Sequence, residues 1–309
     1  MKSGGCWMIL EHNMEQKVRW VETRSLSDSE KKTLQGMYQI PPEIINYVTD
    51  IYEQSSFDND EITGFKLLIM HMPIQLDSPL RYTTRPVSFL IKGNRIVTFN
   101  TLESVVVNQE FEKMRTWSKQ EMTVNNFLLT SLYGLFAGFM TTVKTLIKER
   151  HRLDELLPKH MTNKNLLDLS YLQQTLTYFN NAAKSNLDAM TDFLESPVGQ
   201  NLKDTEREQL EDVIIEANQL KHMVQLESEV VDKITQIFDS IMNNNLNDTM
   251  GILTVWSLAL AIPTVITGFY GMNITLPTFG KPYDWLILII LSLILIFFLV
   301  LIIRRIKRF

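Results

Sequence analysis

Gly271, Met272 and Asn273 form a short segment of small and polar residues between two uncharged stretches near the end of this 309-residue chain. Asn273 carries an amide oxygen that accepts hydrogen bonds without a formal charge. Water molecules around a cation can donate to such an oxygen, so a ring of these amides would contact a hydrated ion without trapping it. Gly271 would allow the backbone turn that directs the oxygens inward. Glycine and asparagine are also favoured at helix C-termini, and a plain helix cap fits the same residues.

A second set of residues recurs at steps of three and four inside the first uncharged stretch. The set is small or polar with one exception, Met250, and comprises Asn247, Met250, Thr254, Ser257, Ala261, Thr264 and Gly268. This spacing places the set on one face of a helix whose other faces are strongly apolar. Such a helix has one side suited to lipid and another suited to water or to a neighbouring helix. A pore lining and a packing seam both fit, and two spans can enclose a pore only if several copies assemble.

The two uncharged stretches predict membrane-spanning helices. Residues 249–280 contain no charged residue over 32 positions, and residues 285–303 form an almost wholly aliphatic run of 19. At about 1.5 Å per residue, either run can cross a hydrocarbon core of roughly 30 Å. Four basic residues follow the second run: Arg304, Arg305, Lys307 and Arg308. Because positive charge favours the cytoplasmic side, we expect both termini in the cytoplasm and the connecting loop outside.

Acidic charge is concentrated in residues 1–250, which hold 25 basic and 34 acidic residues, a net charge of −9. An acidic domain gathers cations and repels nucleic acid, although ordinary solubility explains the same charge. The single cysteine, Cys6, excludes an intramolecular disulfide, and the first ten residues lack the apolar stretch of a signal peptide. The five histidines are scattered without zinc-ligand spacing, and Pro282 follows Gly280-Lys281 where a phosphate loop needs Ser or Thr. We therefore expect no enzyme.

The first 120 residues predict a mixed α/β domain. Residues 17–25 and 64–76 have the composition of strands, residues 87–99 predict a hairpin around Gly93-Asn94, and two prolines open a helix that reaches Asp50. Residues 122–143 are uncharged, but their many Thr, Ser and Asn residues favour a buried soluble helix over a third membrane span.

Heptad spacing from residue 210 to residue 241 predicts a long packed helix. Its apolar positions are Leu210, Val213, Ala217, Leu220, Val224, Val231, Ile234, Phe238 and Ile241, with Glu227 as the break. Neither proline nor glycine occurs between Gly199 and Gly251, so the helix can continue into the first span. It can serve as a coiled-coil stalk, as a lever between a domain and a pore, or as both.

Residues 270–273, Tyr-Gly-Met-Asn, resemble the signature of the CorA family of divalent-cation channels. In that family the signature also ends the first of two C-terminal membrane helices. The resemblance implies an α+β cytoplasmic domain, a long stalk helix, two transmembrane helices and a funnel-shaped homopentamer. The expected division is a cytoplasmic α/β domain at 1–120, a helical part with the stalk at 121–248, a pore-lining first span at 249–273, an outer loop at 274–284, a second span at 285–303 and a basic tail at 304–309.

The resemblance also implies an activity. It is passive, membrane-potential-driven uptake of hydrated Mg²⁺, with Co²⁺ and Ni²⁺ as further substrates, through a plasma-membrane channel gated by cytoplasmic Mg²⁺. No organic cofactor and no nucleic-acid partner are expected; the partners are other copies of the chain, the lipid bilayer and divalent cations. Two alternatives stay open: a zinc transporter of the same superfamily, against which Met272 argues, and a membrane-anchored scaffold.

The resemblance also implies roles for single residues, at the positions of this chain that match positions of the family. Gly271, Met272 and Asn273 would be the selectivity segment, and family pore positions fall on Asn247, Met250, Leu253, Thr264 and Gly268, with Met250 and Leu253 as a hydrophobic gate. Ala261 is smaller than the residue often found in relatives, which puts a second constriction in doubt. Asp212 matches a regulatory metal ligand of the stalk; its partner falls near Tyr47, with Asp50 as the nearest carboxylate.

Overall fold

The computed structural model describes residues 8–14, 18–100, 103–117, 123–156, 162–272 and 284–306. The chain divides into two compact units, Met1–Ile234 and Thr235–Phe309. The described part contains six strands: β1 (Met8–Met14), β2 (Val18–Arg24), β3 (Ser56–Asp60), β4 (Phe65–Gln75), β5 (Tyr82–Lys92) and β6 (Arg95–Asn100). It also contains eight helices: α1 (Asp28–Tyr38), α2 (Pro42–Thr49), α3 (Val105–Thr116), α4 (Val124–Leu156), α5 (Asn163–Glu195), α6 (Pro197–Gln200), α7 (Asp204–Tyr270) and α8 (Asp284–Ile306).

The strands form one sheet in the order β1-β2-β6-β5-β4-β3, in which the β2–β6 pair is parallel and the others are antiparallel. The predicted strands and hairpin are present: Lys92 pairs with Arg95 across the two-residue turn Gly93-Asn94. β1, β3 and α1 were not predicted. A capping box at the start of α1, between Ser27 and Glu30, is a signal that the sequence offered.

Both faces of the sheet are covered, so its central strands carry apolar side chains on both sides. On one face Val21, Ile69 and Val97 pack in a cluster with α1 and α2 side chains. On the other face Trp20 contacts Phe111 of α3 and Phe127 of α4, with ring centroids 5.5 and 5.0 Å away. This alternation along β2 and β6 fixes which face each helix covers.

A buried charge network joins β2 to α3. The Glu22 carboxylate accepts hydrogen bonds from Arg115 at 2.8 and 3.0 Å and from Arg24 at 2.7 Å. Burial alone would raise the pKa of Glu22, but these hydrogen bonds outweigh it and lower the pKa below its usual value. The charged network therefore holds α3 against the sheet.

Helix α4 contains residues 124–143 of the predicted uncharged helix and lies in the interior of the first unit, whereas residue 122 lies outside the described residues. More than half of its most apolar stretch is buried, including Phe136 and Phe139, as expected of a core helix rather than a lipid-exposed one. Two glycines bring α3 close to it: a Cβ on Gly138 would lie 2.6 Å from Val106, and a Cβ on Gly134 would overlap the Glu110 carboxyl group.

Helix α7 confirms the predicted uninterrupted helix, since it runs from Asp204 to Tyr270 and continues through Pro263. The heptad residues from Leu210 to Val231 are fully buried. Glu227, at the predicted break in the pattern, is itself buried and forms an ion pair with Arg150 of α4. The break is therefore the position of a tertiary contact.

Candidate functional site

The small and polar residues predicted on one face of the first span lie on an exposed side of α7 within the second unit. Leu253, a further pore position implied by the resemblance, is exposed, and so is every member of the predicted set: Asn247, Met250, Thr254, Ser257, Ala261, Thr264 and Gly268. We call this set the polar stripe. Gly251, Val255 and Ala259 instead border a cavity shared with α8. At about 100° per residue, the two sets lie roughly 130° apart around the helix. The polar stripe therefore faces away from α8 and is available to other copies of the chain or to water.

The hydroxyl groups of the polar stripe are bonded to their own helix. Thr254 donates to the Met250 carbonyl at 2.8 Å, Ser257 to the Leu253 carbonyl at 2.9 Å and Thr264 to the Leu260 carbonyl at 2.8 Å. Each hydroxyl hydrogen is thus used, while the oxygen lone pairs remain available on the exposed side. A hydrated cation directs water hydrogens outward, so these oxygens are acceptors of the kind that it needs.

Met250 and Leu253 lie one turn apart and are 56% and 59% exposed. Both are apolar and project from the side of α7 that carries Thr254, so the stripe has an apolar band next to its hydroxyl groups. An apolar constriction of a water-filled path can stop ions by expelling water. Met250 and Leu253 have the apolar side chains that such a constriction would require.

Helix α7 ends at Tyr270, directly before the selectivity segment. The Gly271 amide donates to the Thr267 carbonyl at 2.8 Å, and the Met272 amide donates to the Phe269 carbonyl at 3.3 Å, as in a helix C-terminal turn. The helix-cap interpretation of Gly271 is therefore realised. Gly271 does not have a positive φ, and a Cβ there would lie 3.2 Å from the Thr267 oxygen. The turn that would direct the Asn273 amide inward stays a prediction, because Asn273 lies outside the described residues.

Asn273, the predicted selectivity residue, and the predicted outer loop up to residue 283 lie outside the described residues. Met272, which precedes Asn273, is exposed.

The two predicted regulatory carboxylates line different cavities. Asp212 is exposed on α7 and borders a groove of about 220 Å³ together with Thr130 and Tyr133 of α4. Asp50 follows α2, accepts a hydrogen bond from the Tyr52 amide at 2.9 Å, and lines a cavity of about 260 Å³. Among the residues that the structure describes, no three His, Cys, Asp or Glu side chains gather as a metal site. A joint site for Asp212 and Asp50 stays a prediction, and it concerns neighbouring copies of the chain.

Sequence reasoning missed two features beside the predicted residues. Thr130 and Tyr133 border the Asp212 groove, and no sequence pattern linked them to a residue some 80 positions away. Gly251, Val255 and Ala259 face α8, and their spacing of four residues was a readable signal of close helix contact.

Helices α7 and α8 each have an apolar stretch of membrane-spanning length that the rest of the chain leaves almost entirely unburied. The chain thus has an α/β domain, a long helix that continues from it into an apolar stretch with a polar stripe, and a second apolar helix. This combination defines a two-span membrane transport protein. More specifically, the chain belongs to the CorA family: the family described as CorA-like Mg²⁺ transporter protein matches residues 15–305.

Individual relatives agree with this assignment. The cobalt/magnesium transport protein CorA of Methanocaldococcus jannaschii is 24% identical over 295 residues, which cover 94% of this chain and 91% of that protein. The complete structure of the CorA magnesium transporter from the same organism superposes with a TM-score of 0.78, covering 94% of this chain and 90% of that one, at 24% identity. The cytoplasmic domain of ZntB from Vibrio parahaemolyticus shares the fold at 12% identity with a TM-score of 0.58, covering 77% of this chain and 91% of that one.

The resemblance inferred from Tyr-Gly-Met-Asn is thus confirmed at the level of the family, and the expected order of α/β domain, long helix and second C-terminal helix is confirmed by the fold. The chain is a divalent-cation transporter of the CorA family and has the apolar helices of a membrane protein.

Proposed function

We propose that five copies of the chain form a channel in the plasma membrane through which hydrated Mg²⁺ enters the cell passively, with Co²⁺ and Ni²⁺ as lesser substrates. The observation that carries this proposal is the polar stripe of α7. It faces away from α8, has no charged member, and presents hydroxyl oxygens whose hydrogens are already bonded. Several copies placed around an axis would turn this face into the wall of an aqueous path.

A wall of neutral oxygens suits magnesium in particular. Mg²⁺ dehydrates reluctantly and keeps several waters in proteins. Neutral acceptors can bond to those waters without the strong binding that a ring of carboxylates would cause. A membrane potential supplies about 2.3 kcal/mol per charge per 100 mV, so roughly twice that drives a divalent ion inward. This driving force makes an energy-consuming site unnecessary.

Met250 and Leu253 would form the gate of this channel. In a ring of five copies their exposed side chains would make an apolar constriction close to the cytoplasmic end of the span. Ala261 lies two to three turns further along the same face. Because its side chain is small, we propose that the path is not narrowed a second time at that level.

We further propose that cytoplasmic Mg²⁺ closes the channel by binding at Asp212. This carboxylate is exposed beside the hydroxyl-bearing side chains of Thr130 and Tyr133, which could accept hydrogen bonds from the waters that Mg²⁺ keeps. The described lining of the groove has no second carboxylate, so the remaining charge would come from a neighbouring copy, with Asp50 as the candidate. Both termini would lie in the cytoplasm, on the side where this site can sense internal magnesium.

The test is uptake of Mg²⁺ into proteoliposomes under an inside-negative potential. The wild type is compared with Asn273→Ala and with the control Asn245→Ala, which removes an amide roughly 160° around α7 from Asn247. We expect uptake in the wild type and the control and its loss in Asn273→Ala. Equal flux in all three would remove Asn273 from the mechanism. Zn²⁺ uptake driven by a proton gradient, without Mg²⁺ uptake, would favour the zinc alternative, and no flux of either ion would favour a scaffold.

A further inference from the structure

An apolar cavity of about 410 Å³ lies between α7 and α8 within the second unit. Gly251, Val255 and Ala259 border it on α7, and Ile296, Val300 and Ile303 border it on α8. Gly251 and Ala259 contribute little side-chain volume to its wall. Its volume falls in the range of roughly 300–1,000 Å³ typical of specific small-ligand sites. Its lining suits only a hydrocarbon.

The cavity occupies one half of the membrane span. Ile296 lies eleven residues after Trp285, which is about 16 Å along a helix and about half of a hydrocarbon core of roughly 30 Å. From there the cavity extends to Ile303, the last residue of the apolar run. Arg304 and Arg305 follow directly. The cavity therefore has the depth of a single leaflet, the leaflet next to the basic end of α8.

Charge and position together indicate what fills the cavity. In an assembly whose polar stripes face the axis, the cavity on the other side of α7 faces the lipid. An apolar hollow left without contacts loses dispersion energy, and acyl chains are the apolar groups at that depth. Basic residues close to the surface attract anionic lipids by on the order of 1 kcal/mol each.

We propose that the cavity binds one acyl chain of an anionic phospholipid whose headgroup phosphate lies at the exposed Arg305. This lipid site goes beyond ion conduction. It rests on the two apolar helices crossing the membrane and on the orientation of the polar stripe in the proposed channel.

Trp256 makes the proposal testable, because it borders the cavity and is 65% exposed. The full chain, carrying Trp285→Phe so that Trp256 is the single tryptophan of the two apolar runs, is reconstituted in phosphatidylcholine bilayers. Equal small mole fractions of brominated phosphatidylglycerol or brominated phosphatidylcholine are then added, and quenching of tryptophan fluorescence gives their relative binding. We expect the anionic lipid to quench at least severalfold more efficiently. Arg305→Gln should lower that preference about fivefold, which corresponds to the roughly 1 kcal/mol per basic residue.

Two variants distinguish lipid binding in the cavity from lipid binding elsewhere on the surface of the helices. Ala259→Phe fills the hollow and should abolish the preference for the anionic lipid. Leu291→Phe adds volume about 140° around α8 from Ile296 and should leave the preference unchanged. If Ala259→Phe does not fold, Arg305→Gln carries the test, because it leaves the apolar helices intact.

If both lipids quench the Trp256 fluorescence equally, the proposal is wrong. If neither lipid quenches it, the proposal is also wrong, and a second copy of the chain covers the cavity instead. Magnesium uptake is measured on the same vesicles. If the protein with unaltered cavity residues shows uptake but no lipid preference, the lipid site alone is wrong, whereas lipid preference without uptake would count against the channel.

Discussion

The buried ion pair between Arg150 of α4 and Glu227 of α7 offers a sharp test of how the long helix is held. Arg150 is 8% exposed and Glu227 5%, and the Arg150 guanidinium donates to the Glu227 carboxylate. Glu227→Leu would restore the apolar heptad pattern of α7, so helix packing alone predicts a more stable protein. The structure predicts the opposite, because the substitution leaves the Arg150 charge buried without its partner.

The size of the effect follows from the burial. Removing one member of a buried ion pair costs about 3–5 kcal/mol, whereas replacing both members with apolar residues of similar volume is often neutral or stabilising. For a unit of this size, 1 kcal/mol corresponds to roughly 2–4 °C in melting temperature. Glu227→Leu and Arg150→Met should each therefore lower the melting temperature by about 6–20 °C. The double variant should melt within a few degrees of the wild type.

The assay is thermal unfolding of the full-length protein in detergent, followed by far-ultraviolet circular dichroism. Glu229→Leu, an exposed acid two residues further along α7, controls for the loss of a negative charge. The reasoning is refuted if Glu227→Leu is as stable as the wild type, or if the losses of the two single variants simply add in the double variant. Additive losses would mean that each side chain acts through contacts other than the pair.

Three further predictions address regulation, pH and packing. Asp212→Asn should raise the cytoplasmic Mg²⁺ concentration that halves uptake by tenfold or more, since one ligand charge is lost; an unchanged value in proteoliposome flux would remove Asp212 from the site. Burial lowers the pKa of His71 below its usual 6.5, in spite of a hydrogen bond to the Glu53 carbonyl, so the unfolded chain binds the proton first as pH falls. The melting temperature should therefore drop as the pH falls below about 6.5, and His71→Gln should flatten that drop relative to the wild type. Gly138→Leu should destabilise the first unit by about 1–3 kcal/mol, because even a Cβ would lie 2.6 Å from Val106; a melting temperature equal to that of wild type would contradict the packing of α3 on α4.

Local patterns in the sequence predicted local structure well. The hairpin around Gly93-Asn94 and the uninterrupted α7 rest on turn chemistry and on periodicity, which act between near neighbours in the chain. β3 was harder to predict, because Ser56–Asp60 is polar and owes its strand structure to pairing with β4 at the edge of the sheet. Pairing of that kind leaves no alternation of apolar residues to detect.

Contacts between distant residues set the limit of sequence reasoning. Glu227 stood out as a break in the heptad pattern, but its partner Arg150 lies 77 residues earlier, and only the fold brings them together. Asp212 was singled out by resemblance, whereas the groove that it borders depends on α4 packing beside α7. The proposed partner of Asp212 belongs to another copy of the chain, which no single sequence can position.

The backward hydrogen bonds of Thr254, Ser257 and Thr264 have a consequence for the sign of the permeating ion. With every one of these hydrogens directed at a backbone carbonyl, these three hydroxyl groups offer lone pairs and withhold donors. An anion such as chloride orients the oxygens of its hydration waters outward, and those oxygens would meet other oxygens. In the proposed channel, a wall built from these hydroxyl groups would favour a cation over an anion by the orientation of hydroxyl dipoles, without a single ionised side chain.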